Sequence, residues 1–164
     1  MTTASLPPYL TSLLHLDIAT QLPSPIEPSV RRITHSKTVR KDWGEERWLV
    51  TEESPFGFKL IYLRAGFRTS LQMHEQKEEA NLILRGSGVL HYAASRAGQL
   101  EERPLIAGEI VHVRPGTVHR IEAVTDITLI EVSTPELDDV IRLADDWHRA
   151  DGRIVAEHET EGQR

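Results

Sequence analysis

The chain has 164 residues, the size of one ordinary globular domain, and its hydrophobic fraction of 39% argues against wholesale disorder. Its formal net charge of −6 disfavours binding to nucleic-acid backbones and anionic membranes, which are themselves negative. Because the chain contains no cysteine, it can have no disulfide, no thiolate nucleophile and no cysteine-ligated metal. Any metal must be held by nitrogen and oxygen ligands.

Residues 1–38 are interpreted as an N-terminal arm, since five of the nine prolines lie in residues 1–28. One short stretch could place its apolar residues on a single helix face: Leu10, Leu13, Leu14 and Ile18. The arm either packs on the domain or on a partner, or it is a frayed tail. The start lacks the pattern of a secretory signal, and no apolar run approaches the roughly 20 residues that span a bilayer, so a cytoplasmic location is expected.

From about residue 47 to residue 132 the pattern is one of short apolar or alternating runs separated by glycine and proline. This spacing predicts an all-β sandwich or barrel, and no long helical period interrupts it. The strand candidates are Trp48–Thr51, Phe58–Leu63, Thr69–His74, Ala80–Leu84, Val89–Ala93, Leu100–Pro104, Glu109–Val113, His119–Ala123 and Ile127–Val132.

The segment after Ser133 is predicted to form a short helix. Thr134 can cap it, Pro135 suits its first turn, and three apolar residues would face one way: Leu137, Val140 and Ile141. Residues 151–164 are mostly polar and are interpreted as a tail. The predicted organisation is therefore an arm at 1–38, one β domain at 39–150 and a tail at 151–164.

Four side chains form a candidate metal site. Gln72 and His74 lie two residues apart, so on one strand they point to the same face about 6.5–7 Å from each other. Glu79 follows at the start of the next strand, and His119 begins a strand that a closed barrel can bring opposite. Two imidazoles, one carboxylate and one amide oxygen leave positions open for water or substrate, as in catalytic metal sites.

These residues carry a resemblance to a known superfamily. Gly66-x5-Gln72-x-His74-x4-Glu79-x6-Gly86 resembles the first cupin motif with glutamine in place of its first histidine. Gly108-x5-Arg114-x-Gly116-x2-His119 resembles the second motif with its proline shifted by one place. The glutamine makes the first motif similar to that of mannose-6-phosphate isomerases, especially the cupin domain that ends the bifunctional mannose-6-phosphate isomerase/mannose-1-phosphate guanylyltransferases. The fold implied is the cupin double-stranded β-helix, a jelly-roll barrel.

The likeness covers roughly Val39 to Arg153. It includes Trp43-Gly44, Lys59, Ser70-Leu71-Gln72, His119-Arg120, Ile130-Glu131-Val132, Asp138-Asp139-Val140-Ile141-Arg142 and Asp145-Asp146. The chain departs from the family's usual pattern at Asp42, at Glu75-Gln76-Lys77 and at Asn81, where the family has a proline, a histidine- or arginine-rich stretch and a nearby aromatic residue. These departures bear on the substrate rather than on the fold.

The resemblance implies a metal-dependent enzyme that acts on a phosphorylated or nucleotide-linked sugar, as an aldose–ketose isomerase or an epimerase. It favours Zn as the divalent ion, whereas ligand chemistry alone also allows Mn, Fe, Ni or Co. Lys59 and Glu131 are the candidates for proton transfer, and Arg120 is the candidate for stabilising charge. The cationic residues that could bind a phosphate are Lys59, Lys77, Arg120 and Arg142, of which the resemblance favours Lys59 and Arg120.

Two alternatives stay open. A binding module would hold a sugar or metabolite through its metal without transforming it, in an accessory role in a sugar-nucleotide pathway. An iron dioxygenase is less favoured, because Gln72 replaces an imidazole that such cupins generally use. A homodimer is also expected, since an arm exchanged between two chains would cover exposed strand edges.

Overall fold

The computed structural model describes residues 32–146 and 152–153. After a 3₁₀ turn at Ile33–His35, these residues form twelve β-strands and no α-helix. The strands are β1 (Lys37–Lys41), β2 (Gly44–Trp48), β3 (Gly57–Leu63), β4 (Leu71–Met73), β5 (Glu79–Arg85), β6 (Ser87–Ala93), β7 (Glu101–Ile106), β8 (Ile110–Val113), β9 (Val118–Ala123), β10 (Ile127–Ser133), β11 (Ile141–Ala144) and β12 (Gly152–Arg153).

The strands form two six-stranded antiparallel sheets. The first has the order β1-β2-β3-β10-β5-β8, and the second has the order β12-β11-β4-β9-β6-β7. Strands that follow one another in the chain, such as β3 and β4 or β5 and β6, lie in different sheets, so the chain winds back and forth across the core. This is the arrangement of a jelly roll, and it confirms the predicted all-β fold class.

Alternating burial along the strands builds the core between the sheets. On β3 every second residue from Gly57 to Leu63 is buried, because side chains alternate across a strand. The main apolar cluster consists of Trp43, Ile61, Leu63, Ile83, Leu105, Val111, Val113, Ile121, Ala123, Ile127 and Leu129. Val39, Trp48 and Leu137 form a second, smaller apolar cluster.

The inward-facing positions change from apolar to charged along the barrel. On β10, Ile127 and Leu129 belong to the apolar core, and Glu131 is buried on the same face. On β3 the inward-facing residues likewise change from apolar to charged at Lys59, and on β5 they do so at Glu79. Glu131 lies opposite Lys59 in the register of β10 with β3, so these charged ends meet at one level of the barrel. That level holds the candidate site.

The connection from β5 to β6 requires a glycine. Gly86 has φ +93°, which other residues rarely adopt, and a Cβ there would lie 2.1 Å from the backbone oxygen of Asp126. This glycine ends the first of the two sequence motifs, so the motif marks a turn as well as ligands.

The predicted strands from Phe58 onward are confirmed with shifts of one to two residues at most ends. The strand expected at Trp48–Thr51 lies earlier, at Gly44–Trp48, and β1, β11 and β12 were not foreseen. The predicted helix after Ser133 is wrong: residues 134–140 contain one bend and one turn but no helix, and Ile141 pairs with Met73 at the edge of β4. An unpaired sheet edge stabilises an extended segment there, and this outweighs the local helix signal.

Some predictions fall on residues that the structure does not describe. The amphipathic stretch at Tyr9–Ile18 and most of the tail at 151–164 lie outside the described ranges, and only Gly152–Arg153 of that tail forms a strand, beside β11. Within the described residues, no helix is long and apolar enough to cross a membrane.

Candidate metal centre

Three of the four predicted ligands meet between the sheets. His74 directly follows β4, Glu79 begins β5, and His119 is the second residue of β9. One ligand atom from each lies within 4.8 Å of the others, and all three side chains are buried. Nε2 of His74 is 3.5 Å from Oε2 of Glu79, and Nε2 of His119 is 3.3 Å from Oε1.

Backbone carbonyls fix the orientation of both imidazoles. Nδ1 of His74 donates a hydrogen bond to the carbonyl oxygen of Asp139, and Nδ1 of His119 donates to that of Thr117 at 3.2 Å. A carbonyl only accepts, so each Nδ1 carries a proton and each neutral ring keeps a lone pair on Nε2. Metal-binding histidines commonly make this second contact, which sets their tautomer.

The residues fit a divalent cation. Two Nε2 lone pairs and the Glu79 carboxylate face one another, and the buried Nε2 of His74 has no hydrogen-bond partner. Electron-rich atoms placed this way repel unless a positive charge lies among them. The two N–O distances, 3.5 and 3.3 Å, run to different oxygens of Glu79, so the carboxylate lies between the two imidazoles as a ligand of one shared cation would. Nitrogen and oxygen donors of this kind also suit Mn and Fe.

Gln72 lies beside this triad. It is opposite His119 in the register of β4 with β9, and both side chains line the same cavity. Its Oε1 accepts a hydrogen bond of 3.0 Å from the hydroxyl of Ser70. Its part as a fourth ligand stays a prediction.

A buried charge cluster extends from the triad across the barrel. Nζ of Lys77 lies 2.5 Å from Glu79 and 2.9 Å from Glu131. Nζ of Lys59 lies 3.7 Å from Glu131 and 3.4 Å from Glu46, and it sits 4.7 Å from the centre of the Trp48 ring. Charges thus alternate in the order Glu46, Lys59, Glu131, Lys77, Glu79.

Pairing keeps the central members of this cluster ionised. Burial lowers the pKa of Lys77, but the charges of Glu131 and Glu79 outweigh it and raise the pKa above its ordinary value. Burial raises the pKa of Glu79, but the charge of Lys77 outweighs it and holds the pKa well below its ordinary value. A carboxylate and an ammonium therefore face each other beside the triad.

The three proposed catalytic side chains are not all brought together. Glu131 lines the same cavity as Glu79 and His119, and Lys59 contacts Glu131. Arg120 lies on the opposite face of β9 from His119, where Nε donates to the backbone oxygen of Thr69 at 3.1 Å. Its Nη2 is 3.6 Å from Asp146. The geometry thus assigns Arg120 to the outer side of the second sheet, away from the triad.

Two adjoining cavities reach His119. The inner one has a volume of about 70 Å³ and contains Gln72, Glu79 and Glu131 in its lining. The outer one has a volume of about 250 Å³ and is bounded mainly by β6, β7 and β8. Leu90, Val111, Val113 and His119 line both cavities. A ligand in the outer cavity would therefore contact one member of the triad.

Residues 29–145 match the family described as mannose-6-phosphate isomerase C-terminal. The chain belongs to this family. The match covers both motifs and every residue of the triad and the buried charge cluster. No curated protein matches the whole sequence closely enough to count as a relative.

Solved structures share the fold of this chain. The capsular polysaccharide assembling protein CapF of Staphylococcus aureus is 19% identical with a TM-score of 0.59, and the match covers 67% of this chain and 33% of CapF. Oxalate decarboxylase of Bacillus subtilis, which has Mn(II) centres, is 14% identical with a TM-score of 0.59, covering 68% and 31%. The chain thus spans about a third of each of these proteins, and at such identity the likeness shows the fold alone.

A shorter protein is covered almost completely. A predicted oxalate decarboxylase of Thermotoga maritima is 26% identical with a TM-score of 0.55, and the match covers 65% of this chain and 98% of that one. The matched part of this chain therefore corresponds to almost the whole of that protein.

The sequence did not predict the burial of two residues that shape the centre. Lys77 is 3% exposed, although a lysine between polar residues is usually solvated. Asp139 is 5% exposed and accepts hydrogen bonds from the backbone N–H groups of Gln76 and Lys77 at 2.6 and 2.9 Å. The only signal for Asp139 was the family resemblance of the segment around it.

Proposed function

We propose that the protein is a metal-dependent enzyme that acts on a phosphorylated or nucleotide-linked sugar, as an aldose–ketose isomerase or an epimerase. The proposal depends above all on one observation: two members of the buried triad, Glu79 and His119, line the same cavity as the buried carboxylate of Glu131. Family membership supports a sugar phosphate as the substrate class.

A divalent ion held by His74, Glu79 and His119, with Gln72 as the proposed fourth ligand, would act as a Lewis acid on a carbonyl oxygen of the sugar. Zn is our first choice because the family resemblance favours it and because imidazole and carboxylate donors suit it. The Mn(II) centres of the oxalate decarboxylase support Mn as the second choice.

Glu131 is the residue we propose for proton transfer. Its carboxylate lines the cavity, whereas Lys59 does not, and Lys59 and Lys77 hold its position from two sides. Glu131 would take a proton from the hydroxyl-bearing carbon next to the carbonyl and return it to the carbonyl carbon, while the hydroxyl hydrogen moves to the former carbonyl oxygen, which interconverts an aldose and a ketose. Lys59 is then a positioning residue for Glu131.

The cavity volumes indicate where the substrate would lie. Ligand pockets usually have volumes of about 300–1,000 Å³, and a water molecule needs roughly 10–15 Å³ of probe-occupied space, so the inner cavity of about 70 Å³ suits a few waters. The outer cavity of about 250 Å³ suits the body of a sugar whose carbonyl end would pass His119 into the inner cavity, where Glu131 lies. Among the described residues, Arg103 is the only lysine or arginine in the lining of the outer cavity, and we propose it as the contact of the phosphate group.

A panel of aldose and ketose phosphates and sugar nucleotides, supplied to protein loaded with Zn or Mn, tests this function. Turnover of at least one pair is expected, and Glu131→Gln should lose it while metal analysis shows the ion still bound. Glu78→Gln is the matched control, because Glu78 is exposed and pairs with His112 outside the triad. Full activity of Glu131→Gln would remove the proposed base, and absence of turnover across the panel would remove the enzyme.

The second candidate is a binding module, and the pairing of the cations favours it. Among the described residues, Lys59 and Lys77 are both bound to carboxylates and Arg120 faces away from the triad, so none of them is placed to hold a phosphate in the inner cavity. Thermal stabilisation by a sugar phosphate that is recovered unchanged would support this candidate. A cytoplasmic location and a homodimer also remain predictions, and light scattering at micromolar concentration tests the second.

A further inference from the structure

Lys77 is buried, unlike a typical surface lysine. Its side chain is 3% exposed, and its ammonium contacts one carboxylate of the triad and one outside it, Glu79 and Glu131. Its backbone N–H donates to the carboxylate of Asp139 at 2.9 Å. Both the backbone and the ammonium are therefore fixed. Burying a charge is costly unless it is well paired, so the two carboxylates hold the ammonium strongly in this position.

The charge balance of the site depends on Lys77. With neutral imidazoles, the buried charge cluster holds three carboxylates, Glu46, Glu79 and Glu131, and two ammonium groups, Lys59 and Lys77, which leaves one net negative charge. A divalent ion would turn this into one net positive charge inside the barrel. If the Lys77 ammonium were absent, the same ion would make the cluster neutral.

We infer that Lys77 is a built-in cation that competes with the divalent metal for Glu79 and weakens metal binding. This inference rests on the proposed metal centre, and it concerns binding rather than turnover. Lys77 shares Oε2 of Glu79 with His74 Nε2, which lies 3.5 Å from the same oxygen. An ion among the three ligands would therefore meet a carboxylate whose charge is already partly neutralised, and it would lie close to a like charge.

The opposite role predicts the opposite sign. If Lys77 merely oriented Glu79 for the metal, its removal would loosen metal binding by about ten- to hundredfold, as loss of an outer contact usually does. If Lys77 competes with the metal, its removal tightens binding by a similar factor. The direction of the change separates the two roles without any assay of activity.

The experiment is a Zn titration of apo full-length protein against a competing chelator, without any sugar. Lys77→Met, which keeps the length and loses the charge, is expected to bind Zn about ten- to hundredfold more tightly than the wild type. Lys77→Arg keeps the charge and should stay within about threefold of the wild type. Lys59→Met removes a buried charge that does not contact Glu79, and it should tighten binding less than Lys77→Met does.

A paired comparison covers the case in which Lys77→Met does not fold. Lys77→Met/Glu131→Gln leaves only Glu79 without its ammonium partner, and it is compared with Glu131→Gln alone. The double variant should bind Zn at least about tenfold more tightly than Glu131→Gln does. Equal or weaker binding in either comparison overturns the competition and leaves the metal centre standing. If no variant and no wild-type protein binds Zn or Mn, both the competition and the proposed function fall.

Discussion

Nδ1 of His74 donates a hydrogen bond to the backbone carbonyl of Asp139, which lies 65 residues later in the chain. The carboxylate of Asp139 accepts hydrogen bonds from the backbone N–H groups of Gln76 and Lys77, in the connection between β4 and β5. Asp139, which lies just before β11, thus orients an imidazole of the triad and also shapes the loop that carries Lys77 to Glu79. The segment after β10 is therefore part of the site.

Asp139→Ala should loosen both the loop and the metal site. The substitution leaves two backbone N–H groups without their carboxylate, which should lower the free energy of unfolding by about 1–3 kcal/mol in a urea titration. Zn affinity should fall by about tenfold, because the Asp139 side chain no longer anchors the backbone carbonyl that orients His74. The exposed neighbour supplies the control, since Asp138→Asn should change neither value. Wild-type Zn affinity in Asp139→Ala would contradict this role.

The stability gap between wild type and Asp139→Ala should depend on pH. Burial raises the pKa of Asp139, but hydrogen bonds from the backbone N–H groups of Lys77 and Gln76 outweigh it and lower the pKa below its ordinary value. A carboxyl whose pKa is depressed by folding stabilises the protein above its unfolded pKa of about 3.9, and this stabilisation is lost as the pH falls through the folded value. Urea titrations of both proteins should show a full gap at pH 7 that narrows below about pH 4. A gap that grows in acid would show the wrong sign.

Features of the fold and the site that depend on local sequence patterns could be predicted, whereas features that depend on contacts between distant residues could not. The strands of the barrel follow from alternation and turn residues, which are local, and His74, Glu79 and His119 stand in glycine-framed motifs that the family resemblance interprets. The burial of Lys77 depends on Glu131, which lies on another strand 54 residues away, and no local pattern encodes that contact. The same limit explains the wrong helix, because Ile141 is held extended by pairing with Met73.

For Arg120, the local alternation of side chains was informative, whereas the family resemblance grouped it with His119. Its neighbour His119 belongs to the triad, and the resemblance extended through the pair. Alternation along β9 directs successive side chains to opposite faces, so only one of the two can point inward. Once His119 is placed in the barrel, strand geometry directs Arg120 to the other face of β9, and its catalytic role stays a prediction.

Glu79→Gln should abolish metal binding. The amide keeps the shape and loses the only negative charge of the triad, so Zn affinity should fall by more than about hundredfold, beyond the loss expected for an outer contact. Metal analysis after dialysis should show about one ion per chain in the wild type and almost none in the variant. Glu78→Gln is the matched control, because Glu78 is 47% exposed and pairs with His112. Stoichiometric metal in Glu79→Gln would place the ion elsewhere.

Leu90→Phe should block the substrate without removing the metal. Leu90 lines both cavities, so a larger side chain there should fill the passage between them and reduce kcat/KM at least about tenfold, with unchanged metal content. Val89→Phe is the control, since the adjacent side chain faces the other side of β6 and lines neither cavity. Equal turnover by the two variants would mean that the substrate does not pass Leu90.

Arg103→Gln should affect phosphorylated substrates selectively. Arg103 lines the outer cavity and is 64% exposed, so beside its contact with Glu109 at 3.3 Å its guanidinium has further N–H donors for a phosphate at the cavity wall. KM for the phosphorylated sugar should rise about tenfold, while kcat and the metal content stay close to wild type. Arg96→Gln, in an exposed turn outside both cavities, controls for a general change in charge. A KM that does not change would remove Arg103 from phosphate recognition.

Gly86→Ala and Gly108→Ala should separate backbone strain from steric clash. Both glycines have φ +93°, so either alanine adopts an unfavourable conformation at a cost of about 1–3 kcal/mol. At Gly108 a Cβ meets nothing within 4 Å, whereas at Gly86 it would lie 2.1 Å from the backbone oxygen of Asp126. Gly86→Ala must also displace the strand that carries Glu131, since Asp126 immediately precedes β10. Urea titrations should therefore show a larger loss of stability for Gly86→Ala, and only this variant should lower Zn affinity. Equal losses would mean that the backbone at Asp126 moves away from the added Cβ without lowering the free energy of unfolding.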